Sequence, residues 1–498
     1  MSYYRFLEMV PGLLAWSTLI LMVVLSSRAP AYVAIFIILF DAYWFFKTIY
    51  FTLHLQAGFK EMRENLKVDW LNKVRELKKP WEQIYHLVIF PMYKEPYSVI
   101  EESLYSFSRV NYLLDKFIVV LGIEERAGQE AEEVAKKIKK EFGGQFCEFL
   151  ITVHPKNLPN EIPGKGSNET WAAKEAKRLI IDPKKIPYEN ILVSTFDADT
   201  QVFPEYFARL TYVFLTAERP ERSSYQPISF FTNNIFEAPI FARIISFSST
   251  FWHIMNQARP EKLITFSSHS MPFKALVEIG FWTTNHVSED SIIFYQLYLH
   301  YNGDWRVTPL GYPVSMDSNV APTFWETLKN IYKQQRRWGW GAENVPYLID
   351  GFFKNKKIPI LSKIKWSLYT IDLYWEWATN AILIFALGWL PVVLGGEAFN
   401  LTLLSYSLPE ITRNIMILSS FGIISSAALS MLLLPPRPAW FRAKHYFLYI
   451  FQWLLMPVTL IVFGAIPGLE AQTRLMVGGK FRLGFWPTPK TRVNGVEV

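Results

Sequence analysis

Asp197 and Asp199 stand one residue apart directly after the apolar run Ile191 to Phe196. Just past a strand end the chain turns, so both carboxylates can approach one ion, and oxygen-only ligands favour Mg²⁺ or Mn²⁺ over zinc. A metal held by so few protein groups shares its other positions with water and substrate phosphates, which makes a nucleotide diphosphate the natural partner. An isolated Asp-x-Asp in a loop is more often a solvated turn or a helix cap, so the reading depends on what surrounds it. Upstream, Pro163-Gly-Lys-Gly-Ser-Asn168 lies between a strand and a helix, where backbone N–H groups and Lys165 can meet an anion. The spacing is not that of a nucleotide triphosphatase loop, and the bland alternative is a flexible turn. Downstream, Ser288-Glu-Asp290 opens the apolar run Ser291-Ile-Ile-Phe-Tyr. It reads either as a helix cap or as a general base able to take the proton of a sugar hydroxyl. Further on, Gln334-Gln-Arg-Arg-Trp338 falls in a segment from Trp325 with helix-like spacing of aromatic and basic residues. Arg337 can stabilise a departing diphosphate, Trp338 offers a flat face to a sugar ring, and Gln334 offers hydrogen bonds. The alternative there is an amphipathic anchor with Trp at headgroup level.

The elements that must hold these groups are short. Apolar runs His86 to Phe90, Phe117 to Leu121, Phe146 to Val153 and Ile191 to Phe196 predict strands, and Ser98 to Ser108, Ala131 to Phe142 and Thr170 to Ile180 predict helices between them. This alternation predicts an α/β domain with a mostly parallel sheet. Ligands on such sheets gather beyond the carboxyl ends of the strands. Phe90 leads into Pro91-Met-Tyr-Lys-Glu-Pro96, and Phe196 leads into the two aspartates.

Around this block the chain is apolar. Of its 498 residues 51% are hydrophobic and 16% aromatic, above the usual soluble balance. Segments Gly12 to Leu25 and Ala31 to Leu53, then Trp366 to Leu394, Ile415 to Leu434 and Tyr446 to Leu469, are each long enough to cross a hydrocarbon core about 30 Å thick. The expectation is a polytopic protein. The net charge of +7 is modest for this length, and nucleic acid is not the expected partner. Basic stretches such as Lys354-Asn-Lys-Lys357 and Arg437 to Lys444 suggest cytoplasmic loops beside anionic membrane lipid. A single cysteine, Cys147, excludes an internal disulfide and a thiolate zinc cluster.

Asp197-Ala-Asp199, Ser288-Glu-Asp290 and Gln334-x-x-Arg337-Trp338 resemble the D-x-D, T-E-D and Q-x-x-R-W motifs of membrane-embedded family-2 glycosyltransferases, among them cellulose, chitin and hyaluronan synthases. Val88-Ile-Phe-Pro-Met-Tyr-Lys-Glu95 is similar to that family's first strand and nucleotide-contacting turn, and Gly164-Lys-Gly-Ser-Asn168 to its K-G-x-x-N loop. The resemblance implies a nucleotide-sugar-binding GT-A-like domain, with a mostly parallel sheet, inserted between transmembrane helices and followed by interfacial ones. On it the chain divides into two N-terminal spans (1–58), a cytoplasmic transferase domain ending in an interfacial helix (59–345), C-terminal transmembrane and interfacial helices (346–470) and a cytoplasmic tail (471–498).

The resemblance further implies roles. Pro91, Tyr93 and Glu95 lie near the base and ribose, with Lys165 on the nucleotide sugar, and Asp197 and Asp199 serve the diphosphate and a Mg²⁺ or Mn²⁺ cofactor. Asp290 deprotonates the acceptor, and Glu289, Gln334, Arg337 and Trp338 border the acceptor and diphosphate. His269, within Phe266-Ser-Ser-His-Ser-Met-Pro-Phe273, touches the acceptor or is structural. Two departures stand out: Glu124 or Glu125 where the family commonly has an Asp pair, and Ser288 where it has Thr. Phe485-Trp-Pro-Thr-Pro-Lys490 resembles the F-x-V-T-x-K gating loop of cellulose synthases, with Phe485, Thr488 and Lys490 matching. Three spans after Trp366 would put that loop and the transferase domain on opposite sides, so one segment is miscounted or the loop does not gate. Trp366 to Asn380, interrupted by Asp372 and Glu376, or a bent helix near Pro457 and Pro467, is the segment to doubt.

The expected activity is inverting transfer of a sugar from a nucleotide diphosphate donor, a UDP-sugar by resemblance with GDP-sugar open, to a growing β-glycan. The alternatives are single transfer to a polyprenyl phosphate or membrane lipid and, in another class, a transporter or scaffold with a degenerate α/β domain. The expected location is a cell membrane, in a compact architecture of prokaryotic appearance.

Overall fold

The computed structural model describes residues 2–491, so the end of the expected tail, 492–498, lies outside the described residues. The chain divides into two compact units. One comprises the segment up to Gln56 with Ile331–Asp350 and Lys363–Leu483; the other comprises Ala57–Asn330, Gly351–Ser362 and the chain from Gly484 on.

The second unit is built on one eight-stranded sheet. Its strands are β1 (Tyr85–Met92), β2 (Phe117–Glu124), β3 (Glu148–His154), β4 (Ile191–Thr195), β5 (Gln201–Val202), β6 (Ser223–Phe231), β7 (Ser270–Pro272) and β8 (Arg306–Met316). Their order is β3-β2-β1-β4-β7-β6-β8-β5. The β1–β2, β2–β3, β1–β4 and β6–β8 pairs are parallel; β7 is antiparallel to β4 and β6, and β5 to β8. The sheet is therefore mixed and mostly parallel, as its apolar runs require. Every residue of β2 and β4 is buried, the pattern of strands covered on both faces.

Helices Tyr97–Ser108, Gln129–Phe142 and Lys165–Ala176 alternate with the first four strands. Phe107, Phe117, Phe196 and Phe207 form a fully buried cluster of edge-on rings beneath β1 and β4. Removing one such ring costs about 3–5 kcal/mol. Because β2 and β4 flank β1 on opposite sides, the chain reverses its winding between β1 and β4. That reversal opens the crevice in which such sheets bind ligands.

The Lys165–Ala176 helix starts five residues earlier than its composition suggests, continuing through a wider turn at Lys177–Ile181. What reads as a glycine-rich loop is its first turn. The Ser167 hydroxyl donates to the carbonyls of Ile162 and Gly164 at 2.9 and 3.0 Å, and the Asn168 N–H donates to Gly164 at 3.1 Å.

The first unit is helical. Leu19, Met22, Val33, Ala34, Ile37, Phe40, Leu383, Phe399 and Leu408 form a buried cluster within it. Among the described residues four helices are long and apolar enough to cross a membrane: Tyr3–Arg28, Pro30–Asn65, Leu403–Leu432 and Ala443–Val477. The expected span Trp366 to Leu394 is not among these four. Its helix, Ile360–Ile382, gives way to a wider turn at Leu383–Leu387 and a short helix, Leu390–Leu394. Glu376, which interrupts the apolar run, pairs with Lys47 and accepts from the Tyr43 hydroxyl. Helix Phe324–Gly339 begins on exposed Phe324 and Trp325.

His86 lies fully buried in β1, 3.1 Å from the Thr211 hydroxyl and stacked 5.2 Å from the Phe117 ring. Burial pushes its pKa from 6.5 down to about 3. Below pH 6.5 the unfolded chain binds a proton that buried His86 refuses. Stability is therefore lost as pH falls through that window, by at most about 1.4 kcal/mol per pH unit. His86→Gln should flatten the dependence of Tm on pH between about 6.5 and 4.5. A mutant slope equal to wild type would rule out a neutral His86.

Candidate active site

Strand β4 delivers the aspartate pair. Beyond Thr195 the chain stays beside β1, the Phe196 N–H donating to Ile89 O at 3.0 Å, and then turns, the Thr200 N–H closing on Asp197 O at 2.9 Å. The Ser103 hydroxyl holds Ala198 O at 2.8 Å from the neighbouring helix. The two carboxylates diverge across this turn. Asp197 Oδ2 accepts from the Ser267 hydroxyl at 2.8 Å, and Oδ1 lies 2.9 Å from Lys165 Nζ. Asp199 is fully buried: Oδ2 accepts from the Asp317 N–H at 2.8 Å and from Lys490 Nζ at 2.6 Å. Asp199 Oδ1 is buried with no hydrogen-bond partner among the described residues.

Lys165 gathers the acidic groups. Its Nζ donates to both oxygens of Asp290, at 2.8 and 2.9 Å, and lies 3.7 Å from both Glu169 and Glu289. Burial alone would lower its pKa, but Asp197, Asp290, Glu169 and Glu289 hold it well above the ordinary lysine value. The same ammonium, with Lys490, outweighs burial at Asp197 and depresses that carboxyl's pKa. Glu169, whose oxygens are buried without hydrogen-bond partners among the described residues, goes the other way. Burial raises its pKa well above the ordinary glutamate value, opposed by Lys165 and helped by Asp290, Glu289 and Asp197.

Asp290 and Glu289 sit in the first turn of helix Glu289–His300. The Ser288 side chain makes no cap hydrogen bond to that helix, and Asp290 faces Lys165. Gly166 lets the two helix starts approach, since a Cβ there would fall 2.8 Å from Glu289 Cβ. His269, buried just before β7, donates from Nδ1 to Phe266 O at 2.9 Å; the same nitrogen is 3.8 Å from Asp290 Oδ1. Burial lowers its pKa, opposed by Asp290.

Beyond β1 and β2 a second group assembles. The Tyr93 N–H donates to Glu95 at 2.7 Å, and burial raises the Glu95 pKa. Between Glu124 and Glu125, it is Glu124 that turns inward: it takes Arg126 at 2.6 and 3.0 Å, with the guanidinium 4.7 Å from the Tyr93 ring centre. Glu125 instead faces outward to Lys156. Pro91 pairs in register with Gly122, whose carbonyl accepts from Asn168 at 2.8 Å. The tail enters the same unit. Phe485 packs on Gly164 so closely that a Cβ there would fall 2.5 Å from the ring. Thr488 Oγ1 is buried without a hydrogen-bond partner among the described residues.

The sequence profile described as "Glycosyl transferase family group 2" matches residues 192–465, more than half of the chain. The chain belongs to glycosyl transferase family group 2. No curated protein matches it. Among solved structures similar to it is the mannosyltransferase PcManGT from Pyrobaculum calidifontis in complex with GDP-Man and Mn²⁺. That match has 16% identity and a TM-score of 0.39, covering 82% of this chain and 98% of that one. Another is S. aureus TarS 1–349, at 12% identity and a TM-score of 0.36, covering 70% and 92%. Its complex with UDP-GlcNAc matches at 14% identity and a TM-score of 0.33, covering 68% and 91%.

In this family group 2 chain, Asp197, Asp199, Lys165, Glu289, Asp290, His269 and the tail residues Phe485, Thr488 and Lys490 all belong to the sheet-bearing unit. Gln334, Arg337 and Trp338 fall in the helical unit, on the end of helix Phe324–Gly339. Neighbouring Tyr332 and Arg336 there bind Glu470 at 2.7 Å each. Sequence reading missed Glu169, Arg126, Ser267 and Asp317. Glu169 had a signal, its place four residues after Lys165 on one helix face.

Lys165→Met should cost about 3–5 kcal/mol in thermal or denaturant unfolding, because it leaves buried carboxylates without their cation. Glu169→Gln, which imitates the protonated acid that burial favours, should cost clearly less than Lys165→Met in the same measurement. A large loss on Glu169→Gln would mean that Glu169 is ionised.

Proposed function

We propose that this family group 2 chain is a membrane-bound inverting transferase that moves a sugar from a nucleotide diphosphate donor to an acceptor hydroxyl, extending a β-glycan. The observation that carries the reading is the lysine bridge: one ammonium lies 2.9 Å from Asp197 and 2.8 Å from Asp290. Two carboxylates expected to serve opposite ends of a displacement are thereby within one side chain's reach.

In this reading the donor's diphosphate lies by Asp197, Asp199 and the first turn at Lys165, and its base and ribose by Pro91, Tyr93, Glu95, Glu124 and Arg126. UDP is the favoured carrier, and GDP remains a donor to be tested. As the diphosphate draws the Lys165 ammonium, an Asp290 oxygen is freed to accept the acceptor's hydroxyl proton. The acceptor oxygen bonds to the anomeric carbon from the side opposite the leaving group. The bond to phosphate breaks with its electron pair going to the diphosphate, which inverts the configuration. Neutral His269 and Glu289 border the acceptor.

A divalent cation fits this donor set. Asp199 presents a buried oxygen with no hydrogen-bond partner among the described residues and a second already facing an ammonium. Among the described residues no cluster of three or more His, Cys, Asp or Glu forms a complete metal site, so water and phosphate would complete the shell. Asp197 and Asp199 would hold Mg²⁺ or Mn²⁺, which when bound offsets charge on the departing diphosphate. Two candidate spans before the sheet-bearing block and two after it support a multi-pass topology with that block and the tail on one face, the cytoplasmic one.

With Mn²⁺ and a panel of UDP- and GDP-sugars, the detergent-purified chain should release nucleotide diphosphate from one donor. Asp290→Asn should lower turnover about 10²–10⁴-fold while still binding that donor. Wild-type turnover in the variant would remove Asp290 from the base role.

A further inference from the structure

Lys490 already occupies the carboxylate that a divalent cation would use. Its ammonium lies 2.6 Å from Asp199 Oδ2, and its side chain is 17% exposed against 0% for Asp199. Burial would lower the Lys490 pKa, yet Asp199, Asp317 and Asp197 together raise it. The charge is thus held by an acidic surround and not by one contact. Phe485 packs on Gly164, the residue that opens the Lys165–Ala176 helix. The tail is therefore fixed at two points of the site's rim, over the helix start and on the aspartate.

We propose that the tail is a built-in, displaceable counter-ion: the Lys490 ammonium and a divalent cation exclude one another at Asp199. This rests on reading Asp199 as a cation ligand. Lys490 takes Oδ2 and leaves Oδ1 open, but two cations on the two oxygens of one buried carboxylate would lie close enough to repel strongly, and a buried carboxylate left with neither is strongly destabilised. Asp199 therefore always has one or the other. Covalent tethering gives the tail a local concentration in the millimolar range, so it competes with cellular metal ions. Cation arrival frees Lys490, and the freed ammonium is then available to the donor's diphosphate. Cation loss draws the tail back, closing a site that has no use for solvent.

The test uses the full chain in detergent without nucleotide or acceptor. Mn²⁺ is titrated while free Mn²⁺ is read by electron paramagnetic resonance, and hydrogen exchange is followed over the peptide 484–491. Lys490→Met should bind Mn²⁺ about tenfold more tightly than wild type, and Mn²⁺ should speed exchange of that peptide in wild type. Asp199→Asn should weaken Mn²⁺ binding, assigning the titrated ion to this site. Equal or weaker affinity in Lys490→Met, or a peptide that Mn²⁺ leaves unchanged or protects, would overturn the competition alone. Absence of Mn²⁺ binding in both proteins, or unchanged affinity in Asp199→Asn, would overturn the cation reading of Asp199 with it. Donor identity and turnover do not enter any of these readouts.

Discussion

One ammonium among four carboxylates is the constraint on which the candidate site depends. Lys165 lies within 3.7 Å of Asp197, Glu169, Glu289 and Asp290. Four ionised acids around one cation in an enclosed space would repel one another by more than one lysine can offset. The site resolves this partly by raising the Glu169 pKa through burial. It also adds a second ammonium from the tail, whose charge acts on both Asp197 and Asp199. The fold supplies the approach that makes this possible. The winding reversal at β1 and β4 opens the crevice, and the antiparallel β7 enters beside β4 to bring Ser267 to Asp197 and His269 toward Asp290.

This electrostatic arrangement bears on chemistry before any ligand arrives. Both Asp290 oxygens accept from the Lys165 ammonium, so both are engaged before any ligand arrives. In the proposed reading, an anionic donor that competes for the same ammonium frees one of them. On that reading the base and the diphosphate site are therefore coupled through Lys165. Such coupling suits a transferase, because an active base beside an empty donor site would only admit water.

Much of the sheet was legible from residue type alone. His86 to Phe90, Phe117 to Leu121 and Ile191 to Phe196 are apolar and bounded by turn formers, and each forms a strand. The real strands run further where pairing continues: Ile123 and Glu124 stay in β2 because Val153 and His154 of β3 lie opposite. No single-strand reading would keep a glycine and a glutamate in a strand. The β6–β8 pair went unread for a related reason. Pro227 interrupts β6 at the register shift between Gln226 and Ile228, and β8 carries Pro309, Gly311 and Pro313. Proline and glycine there mark an irregular ladder, not a break.

The site was legible as motifs but not as a charge network. Asp197, Asp199 and Asp290 announce themselves by spacing and order, while Glu169 looks like an ordinary helix residue until the helix is known to begin at Lys165. The Lys490 contact spans 291 residues of sequence, a separation at which no periodicity or propensity carries information. What decides it is charge balance. Buried carboxylates at the ends of β4 and β8 need a cation in every state of the site, and the nearest ones a chain can always supply are its own lysines. Acidic motifs that serve metals in an enclosed crevice should therefore tend to recruit internal ammonium groups to cover them when the metal is away.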